Sequence, residues 1–232
     1  MTGVQTCALP ISAQVETPVE YLLSPEWRDR ARSHIDPGRA QAPVLFPANA
    51  HKDTVYLCVV DRDGNALSLI NSLFEAFGSG ILAPGSGVML NNRGFSFNLE
   101  QGHPNCVAPR KRPMNTIIPG MLMRDGEAVA PFGVMGGHYQ AMGHVELLTG
   151  IIDRGLDVQE ALDVPRSFAH DDVLDLEQGI SPAIEAELQQ RGHKISHPII
   201  PFGSGQIIWR DRATGSLIAG SDCRKDGSAA GF

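Results

Sequence analysis

A threonine at the head of a β-strand becomes a covalent catalyst if it is made the first residue of a chain. It then carries a hydroxyl nucleophile and a free α-amine that serves as its own general base, the pairing used for acyl transfer. Thr54 is placed for this. The run from His51 to Leu73 reads as two short strands and a tight turn. Val55 to Val60 is β-branched and aromatic, Asp63-Gly64 sits where a hairpin needs positive φ, and Ala66 to Leu73 returns as the partner strand. Scission between Asp53 and Thr54 would free the amine. The stretch before it, Ala40 to Lys52, contains Pro, Ala and His with no strong period and reads as an exposed loop, as a cleavable junction requires. A second chemical feature is Met135-Gly136-Gly137, between a strand and a helix. Two glycines there let backbone N–H groups approach a ligand closely, where a helix start favours negative charge.

The elements that must position these groups follow from pattern. Tyr21 to Ile35 is expected to be helical, with Ser24-Pro25 as cap and first helical residue and Asp36-Pro37-Gly38 as the stop. Gly78-x-Gly80-x-x-Ala83 superficially matches a dinucleotide fingerprint. Pro84-Gly85 follows at once, so no helix can open there, and the match is rejected. Gly94 to Arg112 reads as loop. A second hairpin runs from Ile117 to Met123, turns over Arg124 to Glu127, and returns over Ala128 to Val134. The apolar stripe Met142, Val145, Leu148, Ile151 and Ile152 predicts a helix over Tyr139 to Asp153. Asp157-x-x-Glu160 is a capping box for a short helix ending near Asp163. Val173 to Glu177 alternates as a strand, Ser181-Pro182 opens a helix closed near Gly192, and Gln206 to Trp209 pairs with Ser216 to Ala219. Segregated runs of strands, helices and strands predict an α+β fold of antiparallel sheets covered by helices.

Bulk properties narrow the function class. The chain has 232 residues and is long enough to bury a substantial core as one domain. A net charge of −7 argues against a nucleic-acid surface, and no apolar run approaches a membrane span. Cys7, Cys58, Cys106 and Cys223 show no C-x-x-C spacing. His138 and His144 lack the i, i+4 spacing of a helical zinc pair, and His103 and Cys106 have no second pair, so no metal or other cofactor is expected. There is no G-x-S-x-G elbow of an α/β-hydrolase. Met1 to Ser12 lack the basic start and continuous apolar core of a signal peptide, and no compartment is assigned. Cys7 to Ser12 matches the translation of a sequencing adapter, GCT-CTT-CCG-ATC encoding Ala-Leu-Pro-Ile. Residues 1–12 are therefore expected to be non-native.

The pattern Thr-x-x-x-x-Val-Val-Asp-x-Asp-Gly-Asn-Ala-x-Ser from Thr54 resembles the start of the small subunit of the γ-glutamyltransferase (γ-glutamyltranspeptidase) family. Those proteins are N-terminal-nucleophile hydrolases made as one chain that cuts itself before a Thr. Leu90-Asn91-Asn92 and the tail Gly220 to Gly227 resemble further family signatures. The resemblance implies a four-layer αββα sandwich. It implies that residues 13–53 are the end of a large subunit with its cleavage loop, that 54–232 are the small catalytic subunit, and that the rest of the large subunit is missing. It places Ser72 where a family Thr contacts the nucleophile, and Gly136 and Gly137 where the family has its oxyanion hole. Asn115 and Thr116 align with two Ser that bind a substrate α-carboxylate. Phe74, Arg93 and Ser96 stand where family members active on glutathione hold an α-ammonium with amide and acidic groups. No acid remains there, and Arg93 would repel an ammonium and suit an acyl group ending in a carboxylate.

The resemblance thus implies transfer or hydrolysis of a γ-glutamyl or related acyl group from an amide such as glutathione, with water or an amine as acceptor. The partners it implies are that small-molecule amide and the chain's own large subunit after autocleavage, with a homo-oligomer of the processed pair as a further possibility. The alternatives are a cephalosporin- or glutaryl-type amide acylase of the same family, and an inactive truncated fragment.

Overall fold

The computed structural model describes residues 18–41 and 54–232. In chain order its elements are α1 (Val19–Leu22), α2 (Pro25–Ser33), β1 (Thr54–Val60), β2 (Ala66–Ser72), β3 (Gly120–Arg124), β4 (Glu127–Met135), α3 (Tyr139–Ile152), α4 (Val158–Asp163), β5 (Ser167–His170), β6 (Val173–Leu176), α5 (Pro182–Gln190), β7 (Ile195–Ser196), β8 (Ser204–Arg210) and β9 (Leu217–Ser221). A one-turn 3-10 helix covers Arg93–Ser96. The length alone suggested one domain. The chain instead packs as two compact units, whose described parts are residues 54–164 with 202–232, and residues 18–41 with 165–201.

The first unit is built in layers. β1 and β2 form an antiparallel hairpin whose register sets Thr54 opposite Ser72 and Val60 opposite Ala66. Asp61 closes the turn by accepting from the N–H groups of Asp63 and Asn65, each at 2.9 Å, a side-chain mimic of a backbone turn. Beneath the hairpin lies an antiparallel sheet in the order β3-β4-β8-β9. The hairpin seats tightly on β4. A Cβ added to Gly133 would fall 2.4 Å from the Tyr56 ring, and Ser68 Oγ donates to the Phe132 carbonyl at 3.2 Å.

The other face of this sheet is covered by α3 and α4. Ala130, Phe132 and Val134 alternate along β4, and all three are fully buried, as are Leu162 of α4 and Ile207 of β8. Gly143 of α3 lets the helix approach Val134, and Gly205 and Gly220 leave room for Leu162. α4 begins at a complete capping box on Asp157 and Glu160. Its last carbonyls are met by Arg224, whose guanidinium donates to Leu162 O at 2.8 Å and Val164 O at 2.9 Å. Asp222 is buried, accepts from Gly205 N–H at 2.9 Å and pairs with Arg224 at 3.1 Å, which explains why the tail after β9 folds back onto the sheet.

Hairpin, sheet and helix pair are three layers of the expected four. The outer face of the hairpin carries Val55, Leu57, Val59, Leu67 and Leu69, each between 42% and 64% exposed. Within this unit α3 and α4 both lie on the opposite side of the four-stranded sheet.

The second unit joins β5 and β6 antiparallel and β6 and β7 parallel, with α1, α2 and α5. Ser24 and Ser181 cap α2 and α5, accepting from Trp27 N–H and Ile184 N–H, each with Pro at the first helical position. The single helix expected over Tyr21 to Ile35 is two, because the Ser24 cap begins a new helix and leaves α1 as one turn. β3 starts at Gly120 rather than Ile117. The Ile117 and Ile118 N–H groups are taken by the side chains of Asn115 and Gln140, and Pro119 has no N–H to give.

Candidate active site

The site is built at the end of the hairpin where β1 starts and β2 stops. Tyr56 lies over Gly133 and Ser68 over Phe132, so β1 read backwards runs toward the C-terminal end of β4. Thr54 is thereby aimed toward the end of the sheet that carries Gly136 and Gly137. Thr54 Oγ1 donates to Ser72 Oγ at 3.0 Å. The pairing comes directly from the strand register, which sets the two residues opposite each other with side chains on one face. Asp53, the other half of the expected scission, lies outside the described residues.

Ser72 Oγ also accepts the Phe74 N–H at 3.0 Å. Phe74 is 2% exposed and has φ of +81°, a conformation that a bulky side chain rarely adopts. The next residue is clamped as well. Asn92 accepts Glu75 N–H at 3.1 Å through Oδ1 and donates to the Glu75 carboxylate at 2.7 Å through Nδ2. The two chain segments 72–75 and 91–93 are thus tied together, and Asn91 Oδ1 accepts the Arg93 N–H at 3.1 Å.

Arg93 is brought by this clamp over Phe74, its guanidinium carbon 5.3 Å from the ring centroid. It is 8% exposed, its Nη1 is buried without a hydrogen-bond partner, and no ion pair to it occurs among the described residues. Burial lowers its pKa below the usual arginine value. Ser96 spends its hydroxyl on the backbone, against Arg93 O at 2.8 Å and Met114 O at 2.9 Å. Its expected neighbours Asn115 and Thr116 follow Met114 directly, so Ser96 draws them to the Arg93 turn. Asn115 uses Oδ1 to hold Ile117 N–H at 3.0 Å.

Gly136 and Gly137 link β4 to α3 with φ of +125° and +60°. Gly136 passes so close to Gly203 that an added Cβ would sit 3.1 Å from the Gly203 Cα. Their carbonyls accept the first N–H groups of α3, from Tyr139 at 3.1 Å and Gln140 at 3.2 Å. Neither glycine's own N–H has a partner among the described residues, leaving two backbone donors at the start of a 14-residue helix. Gln140 is a further residue of this corner that no motif marks. It is 1% exposed and accepts Ile118 N–H at 3.3 Å, fastening the Asn115–Thr116 stretch to the glycine turn, while its Nε2 is buried without a partner. The expected stripe of Met142, Val145 and Ile152 is exposed, and α3 instead buries Tyr139, Gln140, Gly143, His144 and Leu147, a face whose polar members conceal it in the sequence.

The candidate residues Thr54, Ser72, Phe74, Arg93 and Ser96 are therefore joined in one contact chain, and Asn115 and Thr116 adjoin it only through the chain after Met114. Among the described residues no group of three or more His, Cys, Asp or Glu could hold a metal.

Residues 8–232 match the γ-glutamyltranspeptidase family model, and the chain belongs to that family, within the N-terminal-nucleophile hydrolases. It is 30% identical over 234 residues to the glutathione hydrolase-like YwrD proenzyme of Bacillus subtilis, covering 95% of this chain and 43% of that protein. It is 32% identical over 229 residues to the oxamate amidohydrolase proenzyme of Klebsiella pneumoniae, covering 94% and 42%. Among solved structures, cephalosporin acylase from Bacillus halodurans superimposes with a TM-score of 0.85 at 39% identity, over 97% of this chain and 41% of that one. The mixed α/β fold is that of an N-terminal-nucleophile hydrolase. The chain spans about two fifths of the length of these relatives.

Proposed function

We propose that this chain carries the catalytic part of an autoprocessing amide hydrolase or acyltransferase, with Thr54 as nucleophile. The peptide bond between Asp53 and Thr54 is cut, leaving Thr54 with a free amine. Thr54 Oγ then attacks the amide carbonyl of the substrate while the α-amine takes its proton. The Gly136 and Gly137 N–H groups receive the oxyanion of the tetrahedral intermediate. That intermediate expels the amine, which takes the proton back, and leaves an ester on Thr54. Water or a second amine attacks the ester and frees the hydroxyl. Ser72 holds the nucleophile's oxygen in line throughout.

The observation that carries this reading is the Thr54 Oγ1 to Ser72 Oγ hydrogen bond on a strand aimed toward two backbone donors that have no partner among the described residues. Between the substrate readings, an amide acylase is favoured over a γ-glutamyl donor. The α-ammonium positions hold Phe74, Arg93 and Ser96, and the chain is similar to proteins named for oxamate and for cephalosporin as well as for glutathione. Intact-mass measurement tests the proposal. A fragment beginning at Thr54, absent from Thr54→Ala, supports it; an uncut wild-type chain supports the inactive-fragment alternative.

A further inference from the structure

Among the described residues Arg93 is a charge without a counter-charge. The residue is more than nine-tenths buried, its Nη1 is buried with no hydrogen-bond partner, and no carboxylate pairs with it among the described residues. A buried cation left in this state is costly unless an anion completes it. The protein has nonetheless fixed it in place. The Phe74 ring lies beneath it, and Asn91 and Asn92 hold the turn on which it stands.

Phe74 is the connecting piece. Its ring supports Arg93, and its N–H donates to the Ser72 oxygen that accepts from Thr54. The same residue is held at φ of +81°. The guanidinium and the nucleophile are thus positioned from one rigid corner.

We propose that Arg93, stacked on Phe74, is a carboxylate subsite that selects acyl donors of one class: monoamides of dicarboxylic acids bearing no α-ammonium. Phe74 is its positioning residue, fixing the distance from the bound carboxylate to Thr54. This rests on the Thr54 reading above for its place in the reaction, but not for its binding chemistry. An α-ammonium brought beside Arg93 meets a like charge in a poorly solvated corner, whereas a carboxylate accepts from the planar fork.

Calorimetry on the full chain reads binding without turnover. Glutarate is expected to bind at least 10-fold more tightly than pentane-1,5-diol, which has the same carbon chain and no carboxylate, and more tightly than L-glutamate. Arg93→Gln is expected to weaken glutarate by roughly 10- to 100-fold and leave pentane-1,5-diol unchanged, with Arg93→Lys between the two. Equal binding of glutarate and pentane-1,5-diol, preference for L-glutamate, or an Arg93→Gln variant that still binds glutarate as tightly as the wild type would overturn the subsite. Turnover separates this from the Thr54 reading. With glutaryl- and valeryl-p-nitroanilide, Arg93→Gln should raise KM or lower kcat/KM for the glutaryl amide alone, and equal loss on both marks a merely structural role. If neither amide is cleaved but glutarate binds through Arg93, the Thr54 reading fails and the subsite stands.

Discussion

Ser72→Ala is the perturbation whose size follows most directly from the structure. The substitution removes one oxygen that accepts two hydrogen bonds, from Thr54 Oγ1 and from Phe74 N–H, both at 3.0 Å. Each is worth about 1 kcal/mol net, and a part-buried N–H left without an acceptor adds to the loss. Against this, Phe74 is freed to leave its positive φ, which recovers part of a strain on the order of 1–3 kcal/mol. The expected net destabilisation is about 1–2 kcal/mol, read as a lower urea midpoint at unchanged slope. The chemical effect should exceed the stability effect. With Thr54 Oγ1 free to rotate away from line, self-cleavage before Thr54 should slow by about 10²-fold, followed by intact mass over time. Ser72→Thr keeps the hydroxyl and should restore most of the rate. A Ser72→Ala chain that matures at the wild-type rate, or that is as stable as the wild type, would refute the assignment of this oxygen as the anchor of the site.

Two further predictions concern the scaffold. His144 of α3 is buried against Phe132 and accepts Val134 N–H through Nε2 at 3.1 Å, and burial pushes its pKa down to about 4 from an ordinary 6.5. Below pH 6.5 the unfolded chain takes up a proton that the folded chain refuses, so His144 leaves stability level above that pH and erodes it by about 3 kcal/mol as pH falls toward 4. His144→Gln should flatten this part of the profile of urea midpoint against pH; an unchanged slope would show that His144 is not its source. Gly133→Ala places a methyl 2.4 Å from the Tyr56 ring and should cost about 1–3 kcal/mol, because the hairpin must lift from β4. Gly94→Ala, with nothing within 4 Å of the added carbon, serves as a control expected to fall within about 0.5 kcal/mol of wild type.

The parts of this fold that show in the sequence are those whose cause is local. The Asp157 to Glu160 capping box and the Ser181-Pro182 start are written in contiguous residues, and the structure has both; of the Asp63-Gly64 pair only Gly64 takes a positive φ, +82°, because Asp61 closes the turn through the N–H groups of Asp63 and Asn65. The strand β5 leaves no mark in the sequence: it is four residues long, follows a Pro, and depends on β6 for its pairing. The apolar run from Ile117 is longer than the strand it forms because the Ile117 and Ile118 amides are captured by Asn115 and Gln140, contacts that no periodicity records. The same holds for the candidate site. Thr54 and the glycine pair stand out by position, but Gln140 and the Asn92 clamp on Glu75 emerge only once distant segments are folded together. That Arg93 is buried, with no ion pair among the described residues, goes with its stack on Phe74, whose positive φ is invisible in a sequence.

Rapid quenching of the matured protein with excess glutaryl-p-nitroanilide, followed by peptide mapping, looks directly at the residue that carries the acyl group. A glutaryl ester on the side chain of an amino-terminal Thr54, lost in Thr54→Ala together with turnover, is the result the structure leads us to expect. An acyl group trapped on any other side chain, or undiminished turnover by Thr54→Ala, would contradict it.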